Sequence, residues 1–153
     1  MATWGGFEFE APDLAARGRA VLTRTGVGRA QLATVRGEGL PRIHPINVEI
    51  VGGRLLVFLI EGSAKVADLT TDGRYALSSL MDLEEPHEFL VRGRATEVRD
   101  PAVRAAAVGG WAFEVDDTFR LFELGIDHVV FGDRPTDDDW PPVYASWRPT
   151  GTG

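Results

Sequence analysis

The stretch Arg54-Leu55-Leu56-Val57-Phe58-Leu59-Ile60-Glu61-Gly62-Ser63-Ala64-Lys65 changes character in its middle. From Leu55 to Ile60 every position is apolar, so a strand there has two apolar faces and belongs at the centre of a sheet. Gly62 permits a turn, and Ser63 is a good helix N-cap. The residues that follow predict a short helix over Ala64 to Thr71, with Lys65 in its first turn. Free N–H groups and partial positive charge at a helix N-terminus suit a phosphate. A lysine there opposes the helix dipole and costs stability unless an anion lies nearby. A capped helix with a solvated lysine accounts for the same residues, and the local sequence alone does not separate the two.

Working outward, the N-terminal side reads as hairpins. Pro41 to Val51 is a strand, joined to Arg54–Ile60 by the two-residue turn Gly52-Gly53. Gln31 to Arg36 is the strand before it, across the turn Gly37-Glu38-Gly39. Pro41 and Pro45 cannot donate ladder hydrogen bonds, which predicts an open edge or a bulge along that strand. Pro12 to Thr23 reads as a helix, with Pro12 in the first turn, Asp13 at the positive end and an apolar stripe from Leu14, Val21 and Leu22.

On the C-terminal side, Arg74 to Met81 and His87 to Arg99 are strands, the latter with a bulge expected at Gly93. Asp100-Pro101 opens a helix through Ala107. A further helical piece is expected over about Asp117 to Leu124, ending at Gly125. Ile126 to Phe131 and Val143 to Trp147 are the last strands, separated by an acidic loop. Residues 1–10 and 149–153 are expected to be flexible ends. The whole, 1–153, reads as one domain: mainly β, six or seven antiparallel strands in a small barrel with peripheral helices.

Composition excludes several chemistries. The chain has no cysteine, so disulfides, zinc–thiolate and iron–sulfur sites and cysteine nucleophiles are ruled out. Three histidines make a poor basis for a metal cage. No apolar stretch approaches the roughly 20 residues of a membrane helix, and Met1 to Phe9 lacks the pattern of a secretory leader. A cytoplasmic protein without a membrane partner is the expectation. The net charge of -7 argues against a nucleic-acid partner. The 18 glycines and 9 prolines fall mostly between apolar runs, as punctuation for hairpins rather than as low complexity.

Two other groups are candidates for binding. In Pro41-Arg42-Ile43-His44-Pro45-Ile46-Asn47, a pleated strand places Arg42, His44 and Ile46 on one face and Ile43, Pro45 and Asn47 on the other. Such a strand could hold a flat polar ring, or be an amphipathic strand with surface arginine and histidine. Near the C-terminus, Trp140, Tyr144 and Trp147 with Arg148 could stack on a planar ligand, seal a subunit interface or fill the core. Gly26-Val27-Gly28 precedes a strand and lacks a third glycine, so it is no dinucleotide fingerprint. Asp137-Asp138-Asp139 lacks the glycine and distal glutamate of a calcium loop, so no metal site is expected. No serine sits in a nucleophile elbow, and no catalytic acid or base can be named.

Taken in order, these pieces resemble a known family. Leu32-Ala33-Thr34-Val35, the turn at Gly37-Glu38-Gly39, Pro41-Arg42-Ile43-His44-Pro45, the Gly52-Gly53 turn, the apolar strand and Ser63-Ala64-Lys65 with Asp68-Leu69 are similar to the pyridoxamine 5'-phosphate oxidase-like proteins. Arg74-Tyr75-Ala76-Leu77 and Val91-Arg92-Gly93-Arg94-Ala95 continue the match, which runs from about Gln31 to Val98. The resemblance implies a split β-barrel that binds FMN at a homodimer interface and transfers hydride through the flavin to or from a small-molecule substrate. It implies Arg42 at the phosphate, with Ile43, His44, Pro45 and Ile46 along the ring edge. Leu59 and Ile60 would give backbone contacts, Ser63 and Lys65 would hold the phosphate, and Trp147 of the second subunit would cover the ring.

Two departures narrow the expectation. Glu88 stands where the oxidases have a glutamine, and an ionised carboxylate cannot donate a hydrogen bond to the ring. The C-terminal arginine–histidine motif that holds pyridoxal phosphate has no counterpart, because Arg134 and Arg148 have no neighbouring histidine. The expectation is therefore an FMN-dependent oxidoreductase that is not a true pyridoxamine phosphate oxidase. The alternatives are a deazaflavin-dependent reductase and a non-enzymatic flavin or heme protein, with His44 or His128 as the axial ligand for heme.

Overall fold

A computed structural model describes residues 1–151. Six strands close into an antiparallel barrel: β1 (Gly28–Val35), β2 (Pro41–Val51), β3 (Arg54–Ile60), β4 (Arg74–Ser79), β5 (Glu88–Glu97) and β6 (Phe119–Asp133). The order is β3-β2-β1-β4-β5-β6, and a β3–β6 pairing closes it. An extra strand, β7 (Val143–Trp147), extends the sheet beyond β6. Helices lie outside: α1 (Trp4–Glu10), α2 (Pro12–Leu22), α3 (Ala64–Thr71) and α4 (Pro101–Gly110).

Strand β3 sits between β2 and β6, as its all-apolar run requires. Leu55, Val57 and Leu59 point into the main core with Leu32, Leu77 and Phe122. Leu56 and Phe58 point the other way, into a second small core under α4 with Ala107 and Leu121. The expected irregularity in β5 is real: its register against β6 shifts between Arg92 and Gly93.

Two expectations need correction. Residues 117–124 do not form a helix; from Phe119 onward they are part of the 15-residue strand β6. Phe119 to Glu123 pair with β3 on one side, and Phe122 to Gly125 pair with β5 on the other. Leu121 faces the small core and Phe122 the main one, so both faces are apolar and the alternation that marks a strand is lost. Gly125 is no helix cap. It is a strand residue whose missing side chain leaves room for the Met1 side chain.

The first ten residues are not a flexible end. Thr3 caps α1 by accepting the Gly6 N–H at 3.1 Å, and Trp4 and Phe7 are fully buried. The Gly5 N–H donates to the Gly53 carbonyl at 2.8 Å. At the other end, Thr150 is tied to Glu10 through its N–H and its hydroxyl. The remainder of that expected flexible end, residues 152–153, lies outside the described residues.

Candidate functional site

The geometry of the site starts from a strand that leaves its neighbour. Strand β2 pairs with β3 only from Glu49 to Val51, where those residues face Leu56 to Arg54. Towards its N-terminal end, from Pro41 to Val48, it pairs with β1 alone. Strand β3 meanwhile continues to Ile60 with its far edge held by β6. The barrel is split there, and the facing edges of β2 and β3 have no ladder partner among the described residues. Pro45 stands on the open edge, where a missing N–H costs nothing. The expected open edge is thus present.

The split forms a cleft of about 450 Å³. Pro45, Ile46 and Asn47 line it from β2, and Phe58, Leu59 and Ile60 from β3. Glu61, Gly62, Ser63 and Lys65 form its end at the start of α3, and Phe113 with Phe119 makes an aromatic wall. Gly62 has φ of 84°, a left-handed turn that a side chain would strain. Ser63 caps α3 by accepting the Val66 N–H at 3.4 Å, and the first turn contains no acidic residue. One end of the cleft is therefore an anion-seeking pole, made of a helix N-terminus, a hydroxyl and an ammonium. The rest of the lining is mostly apolar, with Asn47 on β2 and the Glu61 carboxylate next to the pole as its polar exceptions.

The aromatic wall was not foreseen. Phe58 packs edge-on against Trp111 at 4.8 Å, Trp111 against Phe113 at 6.0 Å, and Phe113 lies 5.7 Å from Phe119. Arg104 fixes this loop by donating to the Phe119 and Asp116 carbonyls. Phe113 and Phe119 lie 48 and 54 residues along the chain from Lys65, so local pattern could not reveal the wall.

Of the residues expected at a site, Pro45, Ile46, Leu59, Ile60, Ser63 and Lys65 meet in this cleft. Arg42 and His44 lie on the opposite face of β2 from Ile43, as the pleat predicts. They face α3, but neither is free. Arg42 donates to Asp68 Oδ1 at 3.2 Å, and its Nε lies 3.1 Å from Oδ2. His44 Nε2 is 3.1 Å from the Thr34 hydroxyl, which donates to Asp68 Oδ2 at 2.7 Å. Burial holds the His44 pKa below the ordinary histidine value; the nearby Lys65 and Arg42 charges add to this, while Asp68 opposes it. Asp68 and Thr34 are themselves buried.

Ile43, Glu88, His128 and Trp147 lie elsewhere. Ile43 projects from the outer sheet face with Leu90 and Val130 around an apolar groove that His128 also lines. Burial, followed by Arg148 and Arg92, lowers the His128 pKa. Glu88 accepts the Tyr144 hydroxyl at 2.9 Å. Trp147 packs on Phe7 at 4.9 Å and donates its indole N–H to Glu10. Trp140 is exposed beneath Arg134, so the C-terminal aromatics form no common stack within one chain. No group of three or more His, Asp or Glu residues suited to a metal ion occurs among the described residues. None of the described helices is long and apolar enough to cross a membrane.

No family model matches the chain, and no curated protein matches it. Solved structures do. A heme-binding protein from Mycobacterium smegmatis superposes with a TM-score of 0.66 at 17% identity, over 87% of this chain and 57% of that one. This chain thus spans little more than half the length of that protein. PhzG from Burkholderia lata 383, solved with tetrahydrophenazine-1-carboxylic acid, gives 0.62 at 17% identity over 92% and 95% of the two chains. A candidate pyridoxamine 5'-phosphate oxidase from Listeria innocua gives 0.59 at 13% identity, over 74% and 94%. The likeness is one of fold, and the fold is the split barrel of the pyridoxamine 5'-phosphate oxidase-like proteins.

Proposed function

We propose that this split barrel binds FMN in the cleft between β2 and β3 and acts, as a homodimer, as a flavin-dependent oxidoreductase. One observation carries the reading. The cleft has an anion-seeking pole at Ser63 and Lys65 and a flat apolar slot at Pro45, Ile46, Leu59 and Ile60. A planar ring joined to a phosphate presents the same two chemistries in one molecule. The residues fit the group, because the lysine that opposes the α3 dipole gains a counter-ion there.

In this reading the Ser63 hydroxyl, the Lys65 ammonium and the first-turn N–H groups of α3 hold the phosphate. The unpaired edges of β2 and β3 supply backbone donors and acceptors for the polar ring edge. Phe113 and Phe119 wall the slot on one side. Bound FMN supplies the hydride and electron chemistry, and the chain supplies binding, orientation and electrostatics. The missing arginine–histidine motif argues for a small-molecule substrate other than pyridoxamine phosphate.

The second subunit is argued from the outer sheet face. Ala33 pairs with Ile43 and with Ala76, Ser78 with Leu90, and Leu90 with Val130 across β2, β1, β4, β5 and β6. These side chains point outward yet are mostly apolar, and contiguous apolar surface of this kind marks an interaction face.

The test is the visible spectrum of the purified protein, followed by titration with FMN, a deazaflavin coenzyme and heme side by side. FMN is expected to bind with quenched fluorescence. Lys65→Ala is expected to weaken it about 10- to 100-fold, the scale of one charge-assisted hydrogen bond. Preference for the deazaflavin, or a Soret band without flavin binding, would replace this reading with the corresponding alternative. Full FMN affinity in Lys65→Ala would remove the phosphate role.

A further inference from the structure

Asp68 is a buried acidic group behind the basic pole and is not part of the cleft lining, whereas the Glu61 carboxylate is. Asp68 lies on α3, three residues after Lys65, and holds two groups on two different strands. Towards β2 it takes the Arg42 guanidinium. Towards β1 it accepts the Thr34 hydroxyl proton. A hydroxyl has one proton, and here the carboxylate takes it. The Thr34 oxygen can then only accept from His44 Nε2, which must carry a hydrogen. In a neutral imidazole the other nitrogen, Nδ1, is left as an acceptor. His44 makes no second hydrogen bond to the protein among the described residues.

We propose that Asp68 is a positioning residue for the anion pole: through Arg42 directly, and through Thr34 to His44, it sets the direction of one charge and the tautomer of one ring beside Lys65. This goes beyond the flavin reading and rests on it for the identity of the anion. The consequence is that two groups on β2, outside the cleft lining itself, are preset behind the pole formed by Ser63 and Lys65. Arg42 is paired with Asp68 and held in place rather than free to swing to the ligand. His44 presents an acceptor, which suits a hydroxyl next to a phosphate, as on a sugar or polyol phosphate. Lys65 alone stays unpaired, with no salt bridge among the described residues, and supplies the undiminished charge.

The test begins without cofactor. In 15N-labelled protein, the His44 Nε2–H is expected as a protected resonance. Thr34→Ser should keep it and Thr34→Val should lose it, although valine fills the same space. FMN titration of Asp68→Asn and Thr34→Val, with circular dichroism to show that each is folded, should give about tenfold weaker binding, the size of one lost charge-assisted contact. Thr34→Ser should bind like the parent chain. A parent protein without the protected proton overturns the proposal. So does wild-type FMN affinity in folded Asp68→Asn, since a merely structural aspartate would lower thermal stability alone. If the parent chain binds no FMN, the flavin reading fails separately. Inorganic phosphate is then the probe: the His44 resonances should respond to it in the parent chain and not in Asp68→Asn, and equal responses overturn the proposal.

Discussion

At the scale of single residues, close approach of backbones decides more here than turn conformation does. A Cβ on Gly93 would lie 1.9 Å from the Gly125 carbonyl oxygen, at the point where β5 shifts register against β6. No rotamer change relieves a clash with backbone, so the two strands would have to part. Gly93→Ala should therefore cost about 1–3 kcal/mol, read as a fall in melting temperature of roughly 2–4 °C per kcal/mol for a chain of this size. Gly109 in α4 is the control, because a Cβ there meets nothing within 4 Å. Gly109→Ala should be neutral or stabilising by up to about 1 kcal/mol. An equal effect of the two substitutions would show that the bulge is not under steric constraint. The bulge at Gly93 and the turn at Gly62 were legible because each is a local signal. The partner of Arg42 was not, because Asp68 lies 26 residues away and only the closed barrel brings α3 against β1 and β2.

At the scale of elements, α1 is the instructive case. Seven residues with two glycines have no intrinsic reason to be helical. The helix exists because tertiary contacts hold it. Trp4 is fully buried, edge-on to Phe7 at 5.3 Å and to Phe89 at 6.1 Å. Trp4→Ala should cost about 3–5 kcal/mol, measured as a lowered urea midpoint. A loss within about 0.5 kcal/mol, as for an ordinary exposed site, would return these residues to a flexible end. Strand β6 makes the converse point. Its Phe119 to Leu124 segment looks helical because it is apolar towards two cores at once, and only its pairing with β3 and β5 identifies it as a strand. The hairpin strands β2 and β3, bounded by glycine turns, needed no such help.

At the scale of the whole molecule, the question is how two copies with a net charge of -7 each could associate. Their long-range interaction is repulsive, so attraction must come from desolvated apolar area. The outer face around Ile43, Leu90 and Val130 is the place where the barrel offers it, on the opposite side of the β2 pleat from Arg42 and His44. The parent chain should sediment at twice its 16.7 kDa mass. Ile43→Lys together with Leu90→Lys should give a folded 16.7 kDa species, because both side chains already point outward and the core does not use them. Salt separates the forces further. Screening shortens the reach of the mutual repulsion to about 8 Å at physiological ionic strength. The dimer should therefore tighten as salt rises from low values, whereas a dimer held by ion pairs would loosen. A monomeric parent chain at all salt concentrations would leave the cleft to function within a single subunit, without a residue from a second one.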